Sequence, residues 1–263
     1  LRSVYRKVFP STIKKSNSFW KGRKSKLNES HLNQNSRNIK QVLDHGHVYI
    51  KDHMGDDQRV VDSARVSFGH MESETDSARN RKLIFYLMEN GHESPFESVV
   101  FTFGVKTPIF IARQWFRHRI GSFNEISARY SKIDCEFYIP DNVRKQDTVN
   151  KQGSLKMDDE RILEYFTESL RRIDELAKWE YEHFMDMGVA REMCRMFLPL
   201  NTYTEFYWTV NFRSLMNFIK LRADTHAQWE IQRYAKAICD LVRPIVPVSF
   251  EAFNRFILES KNG

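Results

Sequence analysis

The chain has 263 residues, 41% of them hydrophobic, enough to bury one substantial core or two small ones. It carries 41 Lys and Arg against 34 Asp and Glu, a net charge of +7, and nowhere shows the roughly 18 consecutive apolar residues of a membrane helix. Cys135, Cys194 and Cys239 lie far apart in no CxxC pair, which argues against a disulfide framework or zinc site and reads as apolar filling in a reducing compartment.

The basic charge is concentrated at the start. Residues 1–40 hold eleven Lys or Arg against the single acid Glu29, more than the net charge of the whole chain, so the remainder is acidic on balance. The segment is rich in Ser and Asn and has no sustained apolar period. That composition suits a mitochondrial targeting sequence, a nucleic-acid-binding arm or a passive solvated extension. The first reading makes the protein mitochondrial, and the cytoplasm is the alternative. One catalytic domain is expected over residues 41–263.

Residues 41–52 read as an opening strand, followed by the turn DHMGDD at 52–57 and a short helix over 58–66. His45 and His47 form a lone HxH without carboxylate or thiol partners nearby in sequence, so no metal is assigned. Residues 74–90 predict a helix with Ala78, Leu83, Ile84, Tyr86 and Leu87 on its apolar stripe and Asn90 and Gly91 as its stop. Val99, Phe101, Phe103 and Val105 alternate with smaller or polar residues, which predicts a strand.

Thr107 and Pro108 then suit a helix cap and first helical position for IFIARQWFRHR, whose polar end would be one continuous helical cluster. Gly121 ends it, and an irregular loop is expected beyond. The pattern Ile162, Phe166, Leu170, Ile173, Ala177 and Phe184 predicts a long amphipathic helix over 158–188. TYTEFYWTV at 202–210 reads as a second strong strand. Helices over 212–221 and 227–243 and a short terminal helix around 249–259 complete the reading, with no internal repeat.

The densest chemistry lies at Arg117, His118 and Arg119, followed after seven residues by Ser127. Between Glu97 and Glu125 there is no acidic residue, while Lys106, Arg113, Arg117 and Arg119 accumulate among aromatics. Unpaired arginine forks of this kind suit a phosphate or nucleobase. The glycines form no GxGxxG or GxxxxGK[ST] cradle, so side chains must hold the phosphates. A second set stands at Arg195, at NFR over 211–213, and at Asn217, Arg222 and His226.

The pattern RHRxxSxNExSxRY over 117–130, with HESPFESVVFTF, EFYIP, FLPLNTYTEFYWTVN and RSLMNFIKLRADTHAQWEIQ in that order, resembles the flavin-dependent thymidylate synthases over residues 41–255. The resemblance implies an α+β fold with an antiparallel sheet flanked by helices, assembled as a homotetramer with shared sites. It implies reductive methylation of dUMP to dTMP, with FAD as cofactor and methylenetetrahydrofolate and NADPH as co-substrates. No membrane is involved, and the acidic core without a nucleic-acid module argues against a nucleic-acid partner.

The family pattern assigns Gln114, Trp115, Phe116, Arg117, Glu125, Ile126, Ser127, Ala128, Arg129, Arg195 and Arg222 to dUMP. It assigns Ser94, Arg117, His118, Arg119, Glu125, Asn211, Phe212, Arg213 and Asn217 to FAD, and leaves His92 and His226 for the flavin or folate face. Ser98 stands where the family commonly has another histidine. Arg222 takes the catalytic role because a fixed cation stabilises charge developing on the uracil ring; its alternative is an ion pair with Asp224 or Glu230. Ser127 is favoured as a binding hydroxyl over a nucleophile, since a serine needs a base within reach.

Overall fold

In the computed structural model, which describes residues 38–69, 76–149 and 153–259, the strong apolar alternation is paired at the centre of a sheet. Strand β3 (Val100–Pro108) lies between β2 (Gly46–Met54) and β7 (Tyr203–Asn211). The sheet order is β1-β2-β3-β7-β4 and every pairing is antiparallel, with β1 (Lys40–Val42) and β4 (Ser122–Glu125) at the edges. The α+β class expected from the sequence is observed. The basic segment 1–37 lies outside the described residues, so the readings made for it do too.

One face of the sheet is dry. Phe101, Phe103 and Val105 from β3 and Phe206, Trp208 and Val210 from β7 are all buried, as a period of two requires when one face meets helices. Against them pack α3 (Ile109–Trp115), α6 (Phe212–Arg222) and α7 (Trp229–Val242). Trp115 sits at the centre, fully buried, with its ring 4.9 Å from Phe218, 5.5 Å from Trp208 and 5.7 Å from Tyr234. Helices α1 (Asp57–Arg65), α2 (Ser77–Glu89) and α8 (Pro247–Phe253) close the far side. There the Asp57 carboxylate accepts from the amides of Val248 at 2.8 Å and Ser249 at 2.9 Å, satisfying donors at the start of α8.

The opening strand expected over 41–52 is instead a hairpin. Leu43 adopts φ 62 and breaks the run, so β1 folds back onto β2. Gly46 allows this: a Cβ there would lie 2.0 Å from the Tyr234 hydroxyl and 2.6 Å from the Val42 carbonyl oxygen. Strand β2 also runs on to Met54, which shortens the expected turn, and Asp56 caps α1 through Gln58 N and Arg59 N. On α2, Ile84 and Leu87 are buried as expected, whereas Ala78 and Tyr86 are exposed.

Thr107 is a strand residue and not a helix cap. It pairs with Thr204, and Pro108 with Tyr203, before α3 starts at Ile109. The first amides of α3 are satisfied by the chain ahead of β7, Ile109 N donating to Thr202 O at 2.9 Å and Phe110 N to Leu200 O at 3.0 Å. The helix ends at Trp115, so the polar cluster after it is not helical. Beyond Gly121 the expected loop is strand β4, paired with β7 from Ser122↔Thr209 to Glu125↔Phe206.

Helix α4 (Glu160–Asp186) spans 27 residues, capped by Asp159 and followed by Gly188 at φ 85. Its expected core stripe is only partly covered: Ala177 is buried, while Ile162, Phe166 and Ile173 are exposed. A hairpin of β5 (Val143–Gln146) and β6 (Ser154–Met157), unforeseen in the sequence, precedes it. The short α5 (Arg191–Cys194) follows, and α8 continues as a π-helical turn over Asn254–Leu258. Among the described residues no helix is long and apolar enough to cross a membrane.

Candidate active site

Trp115 fixes where the basic residues emerge. Because its ring is locked in the core, the next three residues leave the fold at a set point. Arg117 N donates to Gln114 O at 3.3 Å and His118 N to Trp115 O at 3.0 Å, the short-range bonds that tighten a helix end. Gly121, at φ 156, carries the chain over β7; a Cβ there would meet Trp208 Nε1 at 2.9 Å and Thr209 O at 3.0 Å.

The opposite wall is α6, begun by Asn211, whose side chain accepts from Ser214 N at 2.8 Å. Arg213, Asn217 and Lys220 are spaced i, i+4 and i+7, so they share one stripe of the helix. Between the two walls lies a cavity of about 440 Å³, lined by Arg117, His118, Arg119, Arg213, Asn217, Lys220 and Arg222, with Met88, Met216 and Phe253 as apolar surface. Among the described residues no carboxylate lies within ion-pairing distance of Arg117, Arg119 or Lys220. Arg213 is already paired, with Glu93 at 2.8 Å and Glu97 at 2.9 Å.

Arg222 is held on its inner side. Its Nε donates to His118 Nε2 at 2.9 Å, and its Nη2 lies 3.5 Å from Gln114 O. Burial pulls its guanidinium below the ordinary arginine value. Burial, and secondarily the Arg222 charge, push His118 down to about 4, so the imidazole is neutral at physiological pH and accepts at Nε2. Glu230 Oε1 accepts from the Tyr138 hydroxyl at 3.4 Å and not from Arg222, and Asp224 accepts from the His226 amide and Nδ1, both at 2.9 Å.

The structure thus brings six of the residues singled out in the sequence to one cavity: Arg117, His118, Arg119, Arg213, Asn217 and Arg222. The rings of Trp115 and Phe212 are fully buried in the core, and Phe116 packs half-buried against Phe123 and Phe206, so a ligand meets Trp115 and Phe212 only through backbone. The Gln114 side-chain amide donates to Gln228. Ser94 and His92 are exposed on the segment that carries Glu93, the His92 ring edge-on to Tyr86 at 5.9 Å. Ser98, in place of a histidine, closes its own turn by donating to Pro95 O at 2.7 Å.

The remaining residues stand outside that cavity. Glu125 accepts from the Thr204 hydroxyl at 2.6 Å, and Ile126 lines a smaller cavity of about 220 Å³ on the other face of the sheet, with His47, Tyr49, Glu205 and Tyr207. Ser127 Oγ accepts from Arg129 N at 3.3 Å, Arg129 pairs with Glu192 at 3.2 Å, and Arg195 Nε donates to Glu192 O at 3.2 Å. Ala128 packs on the small cluster of Ile133, Tyr181 and Cys194. A second cationic group is therefore assembled around Glu192, and among the described residues no histidine is hydrogen-bonded to Ser127.

Sequence reasoning missed Lys220 and Glu93, both lining the larger cavity; the signal for Lys220 was its i+3 and i+7 spacing from Asn217 and Arg213. The cysteines offer no nucleophile: burial pushes Cys135 up to about 11 and Cys239 up to about 12, and Cys194 is buried. Among the described residues no three His, Cys, Asp or Glu side chains converge as a metal site would require.

Residues 49–248 match the family described as Thymidylate synthase complementing protein. A flavin-dependent thymidylate synthase of Thermosipho africanus is 54% identical over 215 residues, covering 82% of this chain and 93% of the relative. One from Thermus thermophilus is 49% identical over 220 residues, covering 83% and 79%. The crystal structure of a UMP/dUMP methylase, PolB from Streptomyces cacaoi, bound with 5-Br dUMP, superposes with a TM-score of 0.75 at 36% identity, covering 83% of this chain and 98% of that one. These likenesses place the chain in the flavin-dependent thymidylate synthase family.

Proposed function

We propose that the protein converts dUMP to dTMP by reductive methylation, with FAD bound, methylenetetrahydrofolate as one-carbon donor and NADPH as reductant. The observation that carries the reading is the cavity of about 440 Å³ where Arg117, Arg119 and Lys220, without an ion pair among the described residues, meet apolar Met88, Met216 and Phe253. A dinucleotide has that character, a flat ring with two phosphates, and the volume falls in the range of small-molecule sites. Curated relatives named flavin-dependent support the flavin, and the 5-Br dUMP in PolB supports a pyrimidine nucleotide substrate.

When bound, FAD supplies hydride transfer and relays the one-carbon unit. The chain binds, orients and stabilises charge. Arg117, His118, Arg119, Arg213 and Asn217 hold the cofactor, and the Glu192 group, with Ser127, Arg129 and Arg195, takes the phosphate of dUMP. Arg222 donates to the uracil ring and stabilises charge on N3 or O4 as C5 becomes nucleophilic. A cysteine nucleophile has no place in this scheme, since Cys135 and Cys239 stay protonated at neutral pH.

The reading includes a homotetramer with shared sites. Its support is the separation of the Glu192 group from the larger cavity, together with the exposed Tyr165, Phe166, Ile173 and Trp179 along α4. The test is to purify the protein, record absorption between roughly 350 and 500 nm for oxidised flavin, and assay dTMP formation from dUMP, methylenetetrahydrofolate and NADPH. Flavin and turnover are expected, with Arg222→Ala lowering turnover about 10²–10³-fold while flavin stays bound. A colourless protein that cannot be reconstituted with FAD overturns the reading.

A further inference from the structure

We infer that His118 is a positioning residue for Arg222, fixing the side edge of the guanidinium so that its end fork faces the cavity. The inference rests on the reading of Arg222 as the residue at the uracil ring. An arginine carries five N–H donors in a rigid plane. Here Nε is taken by His118 Nε2 at 2.9 Å and one Nη2 hydrogen points to Gln114 O at 3.5 Å. The occupied groups form one edge of the plane. The end pair, on Nη1 and Nη2, is left for a carbonyl oxygen of a pyrimidine and, where N3 has lost its proton, for that adjacent nitrogen as well.

The support for His118 is continuous with the core. Its ring meets the edge of Phe218 at 4.9 Å, and Phe218 stacks on the buried Trp115, also at 4.9 Å. Phe218 and Arg222 are i and i+4 on α6, so the imidazole bridges one helical turn, packed at one end and hydrogen-bonded at the other. His118 N is itself fixed to Trp115 O at 3.0 Å. The charged groups sharing its cavity are Arg117 and Arg119 beside it, Arg213, Lys220 and Arg222 on α6, and Glu93. This mostly cationic surrounding favours an uncharged imidazole, the form that accepts from Arg222. Among the described residues Nδ1 has no hydrogen-bond partner.

A free arginine side chain loses rotamer freedom when it clamps a ligand; one held on two sides has already lost it. His118 therefore acts on substrate binding and turnover through Arg222, an effect that measurement at saturating FAD distinguishes from its contact with the cofactor. The test uses His118→Phe, which keeps the ring against Phe218 and removes the acceptor, and His118→Gln, which restores an acceptor oxygen. Flavin content, dUMP affinity by calorimetry, and kcat at saturating FAD are measured for each, and again with Arg222→Ala.

With FAD made saturating, because the variant also alters a cofactor contact, His118→Phe should weaken dUMP binding and lower kcat about tenfold, and His118→Gln should recover most of both. In the Arg222→Ala background the His118→Phe change should add little, because its target is gone. Equal losses from His118→Phe with and without Arg222 overturn the inference, as does a variant that sheds flavin but has normal dUMP affinity and kcat once saturated. If His118→Phe does not fold, His118→Gln alone decides: it must exceed the activity of a His118→Ala control. Failure of the wild-type protein to bind FAD is a different result and removes the functional reading itself.

Discussion

Acidification from about pH 7 to about pH 5 should cost the fold about 2 kcal/mol through His47 alone. His47 faces Lys106 across the β2–β3 ladder, and Lys106 is paired in turn with Glu136. Burial first and the Lys106 charge second push the imidazole from 6.5 down to about 4, with Glu136 partly offsetting them. The unfolded chain therefore takes up a proton near the ordinary histidine value that the folded chain refuses until about pH 4. Stability from this group is complete above the unfolded value, falls as the pH drops through it, and levels off below about 4. His118 has the same sign, whereas Glu205, raised mainly by burial, has the opposite one.

The comparison is between urea midpoints of the wild-type protein and His47→Gln, at fixed protein concentration because assembly also shifts stability. The stability difference between the two should change by about 2 kcal/mol in favour of the variant over that interval, equivalent to roughly 4–8 °C in Tm. Two parallel pH profiles would refute the linkage.

Gly46→Ala should destabilise by about 3 kcal/mol, because the new Cβ displaces a Tyr234 hydroxyl that donates to Lys106 O at 2.7 Å and crowds two carbonyls; thermal unfolding within about 1 kcal/mol of wild type would contradict this. Lys220→Gln should weaken FAD binding about fivefold and leave riboflavin, which lacks phosphate, unaffected. An equal loss for both ligands, measured by fluorescence titration, would place Lys220 at the ring.

Much of the site could be read along the chain because its residues sit in short segments with chemical bias. Arg117, His118 and Arg119 line the larger cavity as one segment and the β3 alternation is paired in the sheet, whereas Ser127, the far end of the same spacing, stands outside that cavity. What failed depended on distant partners. The hairpin at Leu43 needs Gly46 to meet Tyr234, and Thr107 stays in a strand because Thr204 pairs with it. Strand β4 exists because β7 offers an edge. Lys220 was overlooked since its meaning comes from the wall it faces, which local composition does not record.

The double clasp of Arg213 by Glu93 and Glu97 separates the formal charge of the cavity from the charge a ligand encounters. An arriving phosphate must compete with two carboxylates for that guanidinium, and wherever it wins, Glu93 and Glu97 are left as freshly exposed anions. Occupancy at this end is thus self-limiting, while the C-terminal end of α6 presents Lys220 with no such rival among the described residues. A dianion entering the cavity therefore meets two unlike cations on one helix: Arg213, for which Glu93 and Glu97 compete, and Lys220, about two turns on, which no carboxylate pairs among the described residues.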